Sequence, residues 1–247
     1  MKISIITASF NSAKTIKETI ESVLSQDYPD VEYIVADGGS KDGTVEILRS
    51  YGDKIKWISE KDSGIYDAMN KGIRLATGEV IGIIGSDDFY PNSTIISQVV
   101  GAFKHSNADS VYGDLHYVAE ENTSKIIRNW HAGKYKIQNF LYVWMPPHTA
   151  YYLRKDIYDK FGLYNTDFKS AGDYELMLRM LYKYKISTYY LPKVLMKMRV
   201  GGTGNASLKN RLRANKEDRL AWKVNGVEPY WFTMLLKPLS KLNQWFV

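Results

Sequence analysis

The first hundred residues alternate short apolar runs with amphipathic segments, and this alternation limits the possible folds more than any other feature of the chain. The apolar runs predict strands, and the segments between them carry apolar residues at helical spacing. Strands that alternate with helices predict a parallel sheet covered by helices, with the ligand site at the carboxyl ends of the strands. The predicted strands cover residues 2–7, 31–36, 55–59 and 80–84.

The second half of the chain is less regular. Residues 111–118 and 125–130 predict a hairpin, residues 155–161 and 173–184 predict helices, and a strand is expected near 188–191. No Pro-, Gly- or Ser-rich linker divides these elements. We therefore expect one α/β domain over residues 1–204, followed by a helical, basic and aromatic extension over 205–247.

Two absences narrow the function. The 247 residues contain no cysteine, which excludes disulfides, thiolate metal sites and a cysteine nucleophile. The apolar run after Met1 is too short for a signal-peptide core, and no run approaches the ~20 apolar residues of a membrane span. We expect a cytoplasmic, unexported protein.

The positive charge is concentrated at the end of the chain. From Asn205 onward there are eight Lys or Arg against three Asp or Glu, which accounts for five of the net charge of +6. Two interpretations remain open: a peripheral dock for anionic lipid at the inner face of the membrane, or a helix packed on the body. The tail could equally serve a homo-oligomer contact, and no nucleic-acid motif accompanies the charge. Its large apolar residues include Trp222, Trp231, Phe232, Leu235, Leu236, Leu239, Leu242, Trp245 and Phe246.

The usual phosphate-binding motifs are missing. No Gly-x-x-x-x-Gly-Lys-Ser/Thr occurs, and glycines 38, 39 and 43 do not fit the Gly-x-Gly-x-x-Gly fingerprint. A nucleotide would therefore have to be held by other groups.

One such group is Asp37, which follows the second predicted strand. Its carboxylate suits the N–H donor of a uracil base. The alternative is a purely structural turn, because Asp-Gly-Gly-Ser is common turn chemistry and Ser40 or Asp42 could cap the next helix. Both interpretations stay open.

Asp87 and Asp88 follow the fourth predicted strand. Two adjacent carboxylates repel each other, and a divalent cation such as Mg²⁺ or Mn²⁺ removes the cost of burying them. The alternative is an exposed acidic turn before Pro91.

Asp173 lies at the start of a predicted helix. It is either the N-cap of that helix, a position where aspartate is common, or a general base directed into a cleft.

Taken together, several segments resemble the inverting family-two glycosyltransferases of the GT-A fold, and most resemble bacterial enzymes that build polysaccharide or O-antigen repeat units. The resemblance runs in order from residue 1 to 204. In chain order the segments are Thr7-Ala8-Ser9-Phe10-Asn11, Ser22-Val23-Leu24-Ser25-Gln26, Asp37 to Thr44, Gly64 to Gly72, Gly85-Ser86-Asp87-Asp88 with Pro91, and Ala171-Gly172-Asp173-Tyr174-Glu175.

The resemblance implies an enzyme that transfers a hexosyl or N-acetylhexosaminyl group from a UDP-sugar to a saccharide hydroxyl, with inversion. Asp37 would hold the uracil, Asp87 and Asp88 would position ribose, diphosphate and a Mn²⁺ or Mg²⁺ ion, and Asp173 would be the base. We expect a lipid-pyrophosphate-linked acceptor, and dTDP is an alternative donor nucleotide. The remaining donor-site residues implied are Thr7, Ala8, Ser9, Asn11, Asp67, Asn70 and Ser86.

Two departures from the family pattern concern the metal. Gly85 stands where many relatives carry an acidic residue, and no histidine follows His148 to act as a late ligand. Two rival functions also remain. A nucleotidyltransferase would need basic residues between Thr7 and Asn11, where there are none, and a non-catalytic binding module would not need Asp173.

Overall fold

The computed structural model describes residues 1–142, 144–201 and 208–233, with side chains from residue 213 onward in the last range. The strands are β1 (Ile3–Ser9), β2 (Val31–Asp37), β3 (Lys56–Ser59), β4 (Val80–Gly85), β5 (Ser110–Val118), β6 (Ile126–Trp130), β7 (Tyr151–Arg154) and β8 (Thr188–Arg199). The helices are α1 (Ile16–Leu24), α2 (Thr44–Ser50), α3 (Ile65–Leu75), α4 (Ile95–Ser106), α5 (Lys155–Phe161), α6 (Gly172–Met177) and α7 (Leu208–Val224).

The strands form one mixed sheet in the order β3-β2-β1-β4-β7-β5-β6, with β8 paired to β5. The first four strands are mutually parallel, so β1 lies between β2 and β4 and their carboxyl ends meet at one edge. β7 is antiparallel to both of its neighbours. The predicted α/β class and mostly parallel sheet are confirmed.

Helices cover both faces of the sheet because the central strands are apolar on both sides. Ile5 and Ile6 of β1 are adjacent in sequence and face opposite cores. The core around Ile5 includes Ile20 of α1 and Phe103 of α4. The core around Ile6 is completed by residues of α3, α5, α6 and α7, among them Met69, Ile73, Ile157, Leu176 and Trp222.

The second half differs from expectation in two places. The predicted hairpin is confirmed as β5 and β6. The strand expected near 188–191 is β8, which runs on through Pro192 to Arg199, because its pairing with β5 tolerates register shifts at Tyr112–Asp114. The helix predicted over 173–184 is α6 followed by a π-helix over Leu178–Lys183, and its N-cap is Ala171. The N-cap interpretation of Asp173 was therefore wrong.

The described part of the extension packs on the body. Trp222 of α7 is 1% exposed and donates its indole N–H to the Tyr174 hydroxyl at 2.8 Å. This contact favours the packed-helix interpretation for α7, while Trp231 is 86% exposed. The predicted boundary at 204 and the residues Leu235, Leu236, Leu239, Leu242, Trp245 and Phe246 lie outside the described residues. Within the described ranges, no helix is both long and apolar enough to cross a bilayer.

Candidate active site

Acidic and hydroxyl side chains meet at the edge where β1, β2 and β4 end. Ser9 and Asp37 are register partners at the last position of β1 and β2, and Gly85 ends β4 beside Ala8. Asp87 follows two residues beyond Gly85. The topology therefore brings the first two acidic segments of the sequence to one place.

The carboxylate of Asp37 is 2% exposed and fully engaged by nearby donors. Oδ1 accepts hydrogen bonds from the Ser9 and Ser40 hydroxyls at 3.0 and 2.5 Å. Oδ2 accepts from the Gly39 and Ser40 amides at 3.0 and 2.9 Å and from the Ser59 hydroxyl at 2.7 Å. Burial would raise the pKa of Asp37, but these hydrogen bonds outweigh it and hold the pKa below its ordinary value. The hydrogen bonds of Asp37 are thus those of a structural turn, which was the alternative to a base-binding role.

Phe10 and Asp62 lie beside Gly38, and their side chains are not fully engaged by hydrogen bonds as that of Asp37 is. Phe10 is 64% exposed, and its ring edge lies close to where a Cβ on Gly38 would stand. The Asp62 carboxylate lies closer still to that position, and its Oδ1 accepts the Gly64 amide at 2.9 Å. An exposed aromatic ring and a carboxylate over a bare glycine form a surface that suits a flat, hydrogen-bonding ligand.

The other residues predicted in the first loop differ in accessibility. Thr7 is fully buried and its hydroxyl pairs with that of Tyr33 at 3.0 Å, while Ala8 is also buried. Asn11 is exposed, has φ 49°, and accepts the Lys41 amide at 3.0 Å through Oδ1. Thr7 is therefore buried below the carboxyl edge of the sheet, whereas Asn11 is exposed at that edge.

The two donor-site residues predicted on α3, Asp67 and Asn70, also differ in exposure. Asp67 is partly exposed and accepts the Ser63 amide at 3.0 Å. Asn70 is buried and forms two hydrogen bonds with the backbone of Tyr164, at 2.8 and 2.9 Å. The Asn70 side chain is thus occupied by the Tyr164 backbone.

The Ser86–Asp88 loop is fixed through its three carbonyls. They accept hydrogen bonds from the Thr15 hydroxyl at 2.9 Å, from the Arg199 guanidinium and from the Thr19 hydroxyl at 2.8 Å, respectively. The Ser86 hydroxyl also lies 2.8 Å from that of Ser12. The Asp87 and Asp88 carboxyls consequently project from a rigid backbone.

These two carboxyls are poorly solvated. Burial raises the pKa of Asp87, and burial together with the Asp87 charge raises that of Asp88 well above its ordinary value. Oδ1 of Asp88, which is 1% exposed, has no hydrogen-bond partner. The unpaired oxygen indicates a site that is incomplete without a cation or proton.

The space beside Gly85 provides a fit test for such a cation. A Cβ on Gly85 would lie 2.8 Å from Asp88 Oδ2 and 3.1 Å from Asp87 Oδ1, so glycine leaves room between the carboxyls. Mg²⁺ and Mn²⁺ accept two carboxylates when phosphate and water supply the other ligands. Within the part of the chain that the structure describes, no group of three or more acidic or histidine side chains is placed to hold a metal alone. The donors present fit a cation shared with a phosphate-bearing substrate.

Arg199 is a cation that sequence analysis missed. Its guanidinium is buried, binds the Asp87 carbonyl and Glu18, and lies 4.9 Å from the centre of the Phe89 ring. The available signal was its place at the end of β8, two residues before Gly201 and Gly202. It lay beyond the predicted end of that strand and was overlooked.

Asp173 lies in the first turn of α6 and is partly exposed. Its Oδ1 accepts a hydrogen bond from the Tyr66 hydroxyl at 3.2 Å. Burial raises the pKa of Tyr117; Arg128 opposes this shift, whereas Asp88 and Asp173 both add to it. The charges of Asp88 and Asp173 therefore both act on the Tyr117 hydroxyl.

A polar cluster of Tyr66, Tyr164 and His148 adjoins Asp173 through the Tyr66 hydroxyl. Tyr66 stacks on Tyr164 with a centroid separation of 5.6 Å, and the Tyr164 hydroxyl lies 2.7 Å from Nε2 of His148. Burial lowers the pKa of His148, and the charge of Asp173 opposes this shift. A neutral imidazole at this position supports the tyrosines and is no free base in the cleft.

Comparison with known sequences identifies the family of the chain. Residues 4–168 match the family described as Glycosyl transferase family 2. A "PGL/p-HBAD biosynthesis glycosyltransferase" of Mycobacterium tuberculosis is 28% identical over 201 residues, covering 78% of this chain and 74% of the relative. An "Uncharacterized glycosyltransferase" of the same species is 33% identical over 186 residues, covering 72% and 68%.

Solved structures with the same fold include S. aureus TarS, with a TM-score of 0.70 and 19% identity over 98% of this chain. The chain spans only 43% of that TarS chain. A mannosyltransferase from Pyrobaculum calidifontis, solved with GDP-Man and Mn²⁺, has a TM-score of 0.67 and 18% identity, covering 97% of this chain and 69% of that one. The chain belongs to glycosyl transferase family 2 and has the GT-A fold.

Proposed function

We propose that the protein transfers a sugar from a UDP-sugar to a hydroxyl of a saccharide acceptor, with inversion at the anomeric carbon. The observation that carries this proposal is the partly exposed Asp173 carboxylate, which accepts a hydrogen bond from Tyr66 and whose charge, like that of Asp88, reaches Tyr117. A base on one side and a phosphate-and-metal site on the other are the two parts that such a transfer requires.

The donor nucleotide would lie across the carboxyl ends of β1, β2 and β4. Phe10 would stack on the base, and Asp62 would supply an acceptor for its N–H group beside Asp37. Because the Asp37 oxygens already accept five hydrogen bonds, Asp37 contacts the base directly only if a serine hydroxyl turns away. The solved complexes of TarS 1–349 with UDP and with UDP-GlcNAc support a uridine donor.

Asp173 would take the proton of the acceptor hydroxyl as its oxygen attacks the anomeric carbon. The sugar bond to UDP breaks on the opposite face, so the configuration inverts. The Tyr66 hydrogen bond orients the carboxylate before the acceptor arrives.

Asp87 and Asp88 would hold Mn²⁺ or Mg²⁺. When bound, the cation neutralises negative charge that develops on the departing diphosphate. Arg199 supports the same site, because its guanidinium fixes the Asp87 carbonyl and adds positive charge next to the carboxyls.

We further propose that the acceptor is carried on a lipid pyrophosphate and that the enzyme docks peripherally on anionic membrane. The surface for docking would be an aromatic cluster of Tyr142, Tyr230, Trp231 and Phe232, in which Phe232 lies 6.2 Å from Tyr142 and 5.2 Å from Tyr230 between ring centres. Amphipathic aromatic rings favour the interface between water and lipid. In this proposal the reaction belongs to bacterial surface-polysaccharide synthesis.

The proposal is tested by donor hydrolysis with a panel of nucleotide sugars in Mn²⁺, Mg²⁺ or EDTA, together with UDP calorimetry. We expect metal-dependent release of UDP from one sugar. If no nucleotide sugar is hydrolysed and UDP does not bind, the proposal is wrong.

The remaining rival is a non-catalytic nucleotide-sugar or membrane-binding module, and Asp173→Asn separates it from the enzyme. An enzyme with Asp173 as base loses transfer but still binds UDP. A variant with unchanged transfer would show that Asp173 is not the base.

A further inference from the structure

We propose that Glu217, on the C-terminal helix α7, is a positioning residue for Asp173, so that α7 is part of the catalytic apparatus. The inference rests on the proposed role of Asp173 as the base. It concerns a residue outside the matched family region, which ends at residue 168.

The carboxylate of Glu217 closes over the segment that leads into α6. Its Oε2 accepts hydrogen bonds from the backbone amides of Lys169 at 3.1 Å, Ser170 at 2.7 Å and Ala171 at 2.9 Å. Glu217 is itself buried, so water does not compete for these donors. Asp173 follows two residues after the last of them.

The Ala171 amide, at the N-cap, is one of the donors that the start of a helix leaves without partners, and the Lys169 and Ser170 amides belong to the two residues before it. No side chain at the Ala171 N-cap satisfies them locally. An ionised acceptor makes stronger hydrogen bonds than a neutral one and complements the positive end of the helix. The direction in which α6 begins, and hence where the Asp173 side chain points, is therefore set by a residue 46 positions away from Ala171.

Further contacts of α7 continue the attachment along α6. Trp222 donates to the Tyr174 hydroxyl, and the Asn225 amide donates to Glu175 Oε1 at 3.1 Å. Tyr174 and Glu175 flank Asp173 on its carboxyl-terminal side, while Glu217 holds its amino-terminal side. Asp173 is left as the partly exposed residue within a turn fixed at both ends.

The test compares Glu217→Gln with Glu217→Asp and with the matched control Glu32→Gln. Glu32 is also a buried carboxylate that accepts a backbone amide, from Thr77 at 2.8 Å, but it lies at the start of β2, at the opposite edge of the sheet. Steady-state kinetics, UDP calorimetry, thermal unfolding and amide hydrogen exchange would be measured on the full chain, well below each melting temperature.

We expect Glu217→Gln to lower kcat by about 10- to 100-fold with KM for the donor and Kd for UDP unchanged, because a misplaced base costs rate without costing donor binding. Glu217→Asp should restore part of the lost kcat. Glu32→Gln should lower the melting temperature and leave kcat unchanged. Equal kcat in wild type and Glu217→Gln, or an equal loss in Glu32→Gln, would overturn the inference.

Hydrogen exchange separates this inference from the proposed function. Faster exchange of the 169–171 amides in Glu217→Gln is expected, and unchanged exchange overturns the positioning role even in an active transferase. If the wild-type protein neither binds UDP nor transfers sugar, the proposed function is wrong. The contact of Glu217 with the 169–171 amides then has no catalytic role.

Discussion

The hydroxyl of Tyr66 lies 3.2 Å from Oδ1 of Asp173, although 107 residues separate the two along the chain. The approach depends on Gly172, because a Cβ at that position would stand 2.8 Å from the Tyr66 ring. The glycine before Asp173 and the tyrosine of α3 therefore form one arrangement. It fixes one oxygen of the candidate base and leaves the other available.

Replacing Tyr66 with phenylalanine tests the value of this hydrogen bond. Burial raises the pKa of Tyr66 well above its ordinary value, and Asp173 adds to the shift, so the hydroxyl is a donor throughout an assay range. We expect Tyr66→Phe to lower kcat by about 10-fold, the effect of losing one hydrogen bond to a charged group, with UDP affinity unchanged. Initial-rate kinetics and calorimetry provide the measurement.

Tyr152→Phe is the matched control for that prediction. Its hydroxyl donates to the hydroxyl of Tyr90 at 3.2 Å in the core on the other face of the sheet, with no contact to Asp173. Both variants should lose similar stability, but only Tyr66→Phe should lose turnover. Equal turnover in the two variants would contradict the orienting role of Tyr66.

Gly85→Ala tests the space between the two carboxyls. The added Cβ would meet Asp88 Oδ2 at 2.8 Å and Asp87 Oδ1 at 3.1 Å, and these side-chain ends can move without unfolding the protein. We expect a small change in melting temperature but a fall of about 10-fold in metal-dependent UDP affinity, because the ligands leave their positions. Gly101→Ala, where nothing lies within 4 Å of the new Cβ, is the control. Unaltered metal-dependent binding in Gly85→Ala would argue against a cation beside this glycine.

The sequence predicted the parallel half of the fold well because its signals are local. β1, β2 and β4 are apolar runs buried on both faces, and Asp37 and Asp87 lie at or just beyond their ends. The extent of β8 was underestimated because Pro192 and the lysines at 193 and 197 interrupt the apolar pattern. A strand beside bulges tolerates such residues, which no periodicity reveals.

The support of the candidate site could not be predicted for a different reason. Glu217 reaches Ala171, and Arg199 reaches the Asp87 carbonyl, across 46 and 112 residues. These contacts depend on how α7 and β8 pack, and one sequence does not encode which distant amide a glutamate accepts. The acidic residue types were visible in the sequence, whereas the groups that orient them became visible only in three dimensions.

Glu32 gives a prediction for acid stability. Burial would raise its pKa, but hydrogen bonds from Lys56, Ser4 and Thr77 outweigh burial and lower the pKa from 4.5 to about 2. The resulting stabilisation, about 3 kcal/mol, is complete above the unfolded pKa and is lost as the pH falls toward the folded one. Urea unfolding between about pH 7 and pH 2 should give Glu32→Gln a lower and flatter curve of unfolding free energy than wild type. Parallel curves would show that Glu32 does not carry this dependence.

Trp222 and Trp231, the tryptophans of the extension that the structure describes, should separate folding from membrane docking. Trp222→Ala removes a side chain that is 1% exposed and should cost about 3–5 kcal/mol of unfolding free energy. Trp231→Ala removes one that is 86% exposed and should change stability by less than about 0.5 kcal/mol, while weakening sedimentation with anionic vesicles. Truncation after Gly204 is a poor test of docking, because it also removes Glu217 and Trp222. If Trp231→Ala sediments as wild type does, the described aromatic cluster is not the docking surface.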